Sequence, residues 1–226
     1  MVNKGNNIKF TAIVPLKTNS QRIPQKNFQL IAGKPLFVHI FEILLKIPLI
    51  DEIVCWSSDE IFKELLPDGI KFVKRNPCLD KNNIKAKDLF IAAAQQIETD
   101  YFVLTHATAP FIKSTSITKG IEAIIEGYDS SFAVKKIKNY CWYNNKTLNY
   151  DINNPVKTQD LKSIYVETSG FFIYSRNLIL NYGKRIGSNY KMIEVSNIEA
   201  IDIDDNEDLK FARLLELELL NKNLHR

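Results

Sequence analysis

Residues 8–27 read IKFTAIVPLKTNSQRIPQKN, an apolar, β-branched run that gives way, without a glycine, to lysines, an arginine and two further prolines' worth of stiffness around them. The first half predicts a strand over 8–16. The second half then leaves the strand's carboxyl end, which is where open α/β sheets bind their ligands. Pro15, Pro24 and Pro35 restrict the backbone around the cations, a restraint that a merely solvated loop does not need. Lys17, Arg22 and Lys26 are therefore placed to surround a polyphosphate, with Asn19, Ser20 and Asn27 as short donors and acceptors beside it.

Outward from this stretch, β-branched and aromatic runs recur at 52–58, 70–74, 101–107 and 130–136, with helix-like segments at 35–47, 59–66, 86–98 and 115–126. The segment 35–47 opens on proline and is apolar nearly all round, as a buried helix is, and 115–126 stops at Gly127 as at a C-cap. Alternation of this kind predicts an α/β fold: a mostly parallel twisted sheet with helices on both faces. Strands are expected again at 169–175, 190–195 and 198–203. A final helix begins near Asp205, with Asp208 at its third position and Leu209, Ala212, Leu215 and Leu219 along one face. Between them, 138–163 is rich in Asn and Lys and follows neither period. Its Tyr140, Trp142, Tyr143 and Tyr150 are too aromatic to be left wholly in water, so it reads as an arm that projects from a single domain of 1–226 and packs on another subunit.

Composition narrows the classes. A chain of 226 residues with 45% hydrophobic content suits one large α/β domain. Its net charge of +4 is dispersed, without the basic tract of a nucleic-acid binder, and no apolar run reaches the roughly 18 residues that cross a bilayer. Cys55, Cys78 and Cys141 are isolated, and the N-terminal MVNKGNNIKF has no signal-peptide apolar region, so a reduced, cytoplasmic protein is expected.

A second constellation is EAIDIDD, 199–205. In an extended segment Asp202 and Asp204 share a face while Ile201 and Ile203 turn to the core, and paired carboxylates suit a hard cation such as Mg²⁺ that keeps waters and bridges to phosphate. Asp205 and Asp208 suit a helix N-terminus instead. Arg75 follows the 70–74 strand, where a guanidinium can clamp a base or a phosphate, and His106 stands at the end of the fourth strand. With His39 inside an apolar helix and His225 at the tail, no histidine cluster forms. The chain has no G-x-x-x-x-G-K-[ST], G-x-G-x-x-G or G-x-S-x-G, which excludes a P-loop, a dinucleotide fingerprint and a hydrolase elbow.

Together these residues resemble the acylneuraminate cytidylyltransferase family, over about 8–215. VPLKTNSQRIPQKN is similar to the family's P-A-R-x-G-S-K-R-x-P-x-K-N, IAGKPLFVHIFE to its G-K-P-L helix, RNPCLD to R-P-x-x-L-A, LTHATAPFI to L-x-Q-x-T-S-P-x, and EAIDIDDNEDLKFA to its I-D-I-D ending. The resemblance implies a Rossmann-like nucleotidyltransferase that transfers CMP from CTP to an acidic keto sugar and releases pyrophosphate. Lys17, Arg22 and Lys26 would then hold the phosphates, with Lys17, Arg22, Lys26 and Asp204 as the catalytic set, and Asn19, Ser20 and Asn27 near the nucleotide. Arg75 and His106 would lie near the cytosine, Asp202 and Asp204 would hold Mg²⁺, and Glu167, Ser169, Phe171 and Phe172 would approach the acceptor. A homodimer joined through 138–163 is implied as well. Lys17 stands where the family has arginine, Thr18 and Asn19 where it has small residues or glycine, and His106 where it has glutamine. Two other readings keep the same sheet: a nucleotidyltransferase or glycosyltransferase for another nucleotide or acceptor, and a nucleotide-binding module without catalysis.

Overall fold

A computed structural model of the protein describes residues 8–224, with side chains described to residue 218. Residues 1–7 of the N-terminal stretch, the Leu219 side chain and His225 lie outside the described residues. In chain order the strands are β1 (Phe10–Leu16), β2 (Leu30–Ile31), β3 (Lys34–Pro35), β4 (Glu52–Ser57), β5 (Ile70–Lys74), β6 (Tyr101–Thr105), β7 (Ser130–Ile137), β8 (Trp142–Tyr143), β9 (Lys146–Thr147), β10 (Ile164–Ser175) and β11 (Tyr190–Val195). The helices are α1 (Leu36–Leu44), α2 (Ala86–Gln96), α3 (Ser114–Ile125), α4 (Arg176–Tyr182) and α5 (Asn206–Leu224).

Seven strands form one sheet in the order β11-β7-β10-β6-β1-β4-β5. All neighbours are parallel except that β10 runs against both β6 and β7. β1 is buried at nearly every position because both faces of the sheet are covered. Phe10, Ala12, Val14 and Leu16 point to one side, where Phe37, Ile40 and Phe41 of α1 and Ile117 and Ile121 of α3 meet them. Ile13 points to the other, with Val54, Trp56, Phe90 and Ala94 of α2 and Ile179 of α4. A third, smaller cluster joins Ile23, Ile31 and Leu36 to Ile203, Leu209 and Ala212. This last cluster positions the site, because it clamps the cationic loop after β1 to the aspartate segment and to α5.

The expected strands through 130–136, and the helices 35–47, 86–98 and 115–126, are present within a few residues of their ends. Gly127 closes the last of these at φ 105°. Three expectations are corrected. Residues 198–203 are turn and coil: the Ile203 N–H donates to the Thr108 carbonyl at 2.8 Å, which docks the segment on the loop after β6 instead of adding it to the sheet. Residues 59–66 form only a five-residue 3-10 turn, Glu60–Glu64, with Pro67 soon after it. β10 starts at Ile164, well before the expected 169. The short helix α4 was not anticipated; its N-cap is the Ser175 hydroxyl, accepting from the Leu178 N–H at 3.1 Å, and Gly183 ends it at φ 62°.

The excursion 138–163 leaves between β7 and β10. Within it β8 and β9 pair as a hairpin, with Asn144 and Asn145 at φ 48° and 61°, the left-handed pair that a tight two-residue hairpin turn requires. Tyr140 and Trp142 set their rings edgewise against Tyr150, at 4.8 and 6.2 Å between centroids. Trp142 and Tyr143 nevertheless stay exposed.

Candidate active site

The carboxyl ends of β1, β5 and β6 open onto a cavity of about 420 Å³ whose walls include Leu16, Lys17, Leu79, Lys81, Phe90 and His106. Beside it lies a more polar cavity of about 300 Å³, with Lys17, Asn19, Ser20 and Gln21 on one wall and Asp80, Lys81 and Asn82 on the other. Lys17 borders both.

The loop between them is fixed by side chains, since it has no glycine. Asp59 Oδ2, just beyond β4, accepts the Thr18 N–H at 2.9 Å and the Thr18 hydroxyl at 2.9 Å. Asn27 Nδ2 donates to the Lys17 carbonyl at 2.8 Å. Asn27 is buried, and through this bond it braces the loop.

The cationic loop and the aspartates meet. Arg22 reaches Asp204 at 2.8 Å, and Lys26 donates to the Ile203 carbonyl at 2.7 Å while standing 3.5 Å from the Asp204 carboxylate. Burial of Ile23 and Ile203 in one cluster holds their charged neighbours in register. Asp202 is different: its Oδ1 is buried and has no hydrogen-bond partner among the described residues. A buried carboxylate oxygen without a donor is an uncompensated cost, and a cation removes it. No group of three or more His, Cys, Asp or Glu among the described residues could hold a metal. Two carboxylates such as Asp202 and Asp204 would suit an ion that completes its shell with waters and phosphate oxygens, as Mg²⁺ does.

His106 Nδ1 lies 2.9 Å from the Ser169 carbonyl. A carbonyl only accepts, so Nδ1 carries the hydrogen and Nε2 is left as an acceptor. Burial lowers the His106 pKa below its ordinary value, with Arg185 adding to the effect and the Ser169 carbonyl and Asp202 opposing it, so the ring is neutral near pH 7.

Arg75 braces the strand ends from within the wall of the larger cavity. Only 3% exposed, it donates to the Leu16 carbonyl at 2.8 Å and the Trp56 carbonyl at 3.3 Å, pairs with Asp80, and lies over the Trp56 ring at 5.0 Å. Its charge and most of its donors are spent on the protein, and it forms part of the cavity wall in that state. Asp80 also accepts from the Ser58 hydroxyl, so the 3-10 turn Pro77–Asp80 is tied to the ends of three strands.

Of the expected acceptor residues, Glu167 is exposed and Ser169 stands beside His106 with its Oγ buried and unpartnered. Both lie where β10 loses register with β7, between Glu167 and Phe172, beyond the carboxyl end of β6. Phe171 and Phe172 are corrected. Phe171 is fully buried under α3, close enough to Gly120 that a Cβ there would meet its ring at 2.6 Å. Phe172 is packed in the opposite core, against Phe132 at 6.0 Å. Neither ring reaches an acceptor.

Sequence reasoning missed Asp59, Asp80, Lys81, Asn82 and Phe90. PCLDKNN has the composition of solvated surface, and only its place at the carboxyl end of β5 and the RNPCLD motif hint at a wall. No helix among the described residues is long and apolar enough to cross a membrane.

A family model described as cytidylyltransferase matches residues 11–224. The pseudaminic acid cytidylyltransferase of Campylobacter jejuni (strain 81-176) is 26% identical, across 92% of this chain and 96% of the relative. N-acylneuraminate cytidylyltransferase A of Danio rerio is 25% identical over 89% of this chain, which spans only 49% of that longer protein. Among solved structures, CMP:2-keto-3-deoxy-manno-octonic acid synthetase complexed with CTP superposes with a TM-score of 0.69 at 16% identity, covering 93% of this chain and 99% of the other. That last likeness speaks for the fold.

Proposed function

The chain is a CTP-dependent member of the cytidylyltransferase family, and from that premise we propose that it transfers CMP to the hydroxyl of an acidic keto sugar, releasing pyrophosphate. The observation that carries the reading is the contact of Arg22 and Lys26 with the 203–204 segment, on the same loop whose Lys17, Asn19, Ser20 and Gln21 line the polar cavity. The acid class is supported by the relatives, whose names specify pseudaminic acid and N-acylneuraminate.

The nucleoside lies in the larger cavity and the triphosphate runs over Lys17 and the pinned loop toward Arg22 and Lys26. Neutral His106 offers Nε2 as an acceptor, which suits the amino group of cytosine and disfavours the carbonyl of uracil. The acceptor hydroxyl forms a bond to the α-phosphorus as the bond from that phosphorus to the pyrophosphate oxygen breaks; the hydroxyl proton passes to solvent. Such a transfer depends on alignment and charge neutralisation, which the rigid loop and its cations supply. Asp202 and Asp204 would hold Mg²⁺, which when bound neutralises phosphate charge and lowers the pKa of a coordinated hydroxyl. Arg22 exchanges its carboxylate partner for the leaving pyrophosphate.

Exposed Trp142 and Tyr143, with Leu148 and Ile152 of the same excursion, support a homodimer through this arm. Free cysteines and a CTP substrate fit a cytoplasmic setting. The test is a pyrophosphate-release screen that crosses CTP, UTP, ATP and GTP with a panel of keto sugar acids and their neutral counterparts. Release with CTP and an acid is expected; release only with another nucleotide, or only with neutral acceptors, refutes the reading.

A further inference from the structure

Arg185 has no part in the site as described so far. It sits in the turn after α4, partly buried, with its guanidinium carbon 4.0 Å from the centre of the Phe172 ring and 5.1 Å from that of Phe90. Phe90 is a wall of the larger cavity, so the cation stands one ring away from the nucleoside compartment. Among the described residues the guanidinium makes no hydrogen bond and no ion pair; it lies over the two rings, and the Glu167 carboxylate acts on it only through space. Three cations of the site contrast with it: Arg22 has Asp204, Lys26 has Ile203, and Arg75 has Asp80.

An arginine held between two aromatic rings keeps its in-plane N–H groups free at the edges, which is the geometry for bidentate binding of a planar anion. The turn that carries it is anchored on both sides. Gly183 N–H donates to the Ile179 carbonyl at 2.9 Å, Gly187 N–H to the Ser130 hydroxyl at 2.9 Å, and Asn189 N–H to Asp129 at 2.8 Å. Burial lowers the pKa of Arg185 somewhat, and Tyr174 and Glu167 oppose the shift, but a guanidinium remains charged at any physiological pH. Tyr174 supplies no counter-charge, because burial pushes its phenol well above the usual value. Nearby, on the β10 irregularity, Ser169 Oγ is buried without a partner and its residue meets His106. A cation with free donors and an unpartnered hydroxyl thus stand near the carboxyl end of β6.

We infer that Arg185 binds the carboxylate of the acceptor, and so selects sugar acids over neutral sugars. This rests on the proposed function and adds the residue that reads the acid. Its position on α4's turn, outside every motif of the family pattern, is why the sequence does not announce it.

The test compares wild type, Arg185→Met and Arg185→Lys in pyrophosphate release, with CTP and each of N-acetylneuraminate, pseudaminate and 3-deoxy-octulosonate, and with the methyl ester of whichever acid reacts best. Methionine keeps apolar contact with Phe172 and Phe90. The expected result is a KM for the acid raised roughly tenfold or more, the loss of one charge-assisted contact, with the KM for CTP unchanged. Lysine recovers part of the loss, and the ester is used equally by wild type and Arg185→Met. An unchanged acid KM in Arg185→Met, a parallel rise in the KM for CTP, or an ester penalised as much as the acid overturns the inference alone. A wild-type protein that binds CTP yet releases no pyrophosphate with any of the acids overturns the proposed function and this inference with it.

Discussion

Replacing Asp204 by Asn separates stability from chemistry at the point where the two charged segments meet. The Arg22 and Asp204 side chains are 62% and 47% exposed, and Lys26, the second cation, retains its bond to the Ile203 carbonyl whatever happens at Asp204. Exposed pairs contribute about 0–1 kcal/mol, so the substitution costs no more than about 1 kcal/mol, or roughly 2–4 °C of melting temperature for a chain of this size. Its effect on catalysis is expected to be far larger. Asparagine keeps the shape but removes a full negative charge from the phosphate cleft, and loss of one preorganised electrostatic contact commonly costs about 10²–10³ in turnover. Thermal melting followed by circular dichroism gives the first number, and pyrophosphate release from CTP over a Mg²⁺ titration gives the second. A melting temperature lower by more than about 10 °C would mean that the pair is a structural strut. An unaltered Mg²⁺ titration with near-normal turnover would remove Asp204 from the metal and from the mechanism.

Other substitutions probe neighbouring claims. Gly120→Ala ought to gain helix propensity in an exposed helix, but here the new methyl would lie 2.6 Å from Phe171 and 2.9 Å from Ile173, so a net destabilisation of about 1–3 kcal/mol in urea unfolding is expected; a more stable variant would refute the packing. His106→Leu should bring CTP and UTP toward equal use. Because the pKa of His106 is lowered from 6.5, wild-type preference for CTP should be flat above that pH and decline only on acidification below it, as Nε2 takes up a proton; a preference that titrates above pH 7 contradicts the neutral-ring assignment. Finally, Trp142→Ser combined with Tyr143→Ser should convert a dimer to a monomer in sedimentation velocity without changing the circular dichroism spectrum, and a wild type that already sediments as a monomer would refute the role of the arm.

Strands such as FTAIVPL and EIVCWS were legible because both of their faces are buried, so β-branched residues fill them almost continuously. The aspartate segment misled. IEAIDI alternates as a strand does, but Ile203 is buried by α5 and the loop after β1, and its backbone bonds to Thr108, so the alternation reports a clamp between two loops. The meeting of Arg22 with Asp204, 182 residues apart in sequence, was anticipated from motif pairing. The bonds of Arg75 and Asn27 to the Leu16 and Lys17 carbonyls were not legible, because sequence shows that a polar side chain is present and not whether its donors are already taken. Phe171 and Phe172 failed for a related reason: a strand's two faces lead into two different cores, and neither faces the end of the sheet. Asp59 and Arg185 were invisible, since each matters through the group it meets, or fails to meet, across the fold.

The tie from Asp59 to Thr18 sets how the loop behaves from one turnover to the next. A glycine-rich phosphate loop fits its ligand by flexing, and it surrenders conformational entropy whenever a ligand arrives. Here the folded protein has met that entropic demand in advance, through one carboxylate that accepts two hydrogen bonds from a single threonine. On the proposed function, nucleotide arrival and pyrophosphate departure would exchange ionic partners at the loop's tip while the bonds of Asp59 to Thr18 hold its stem.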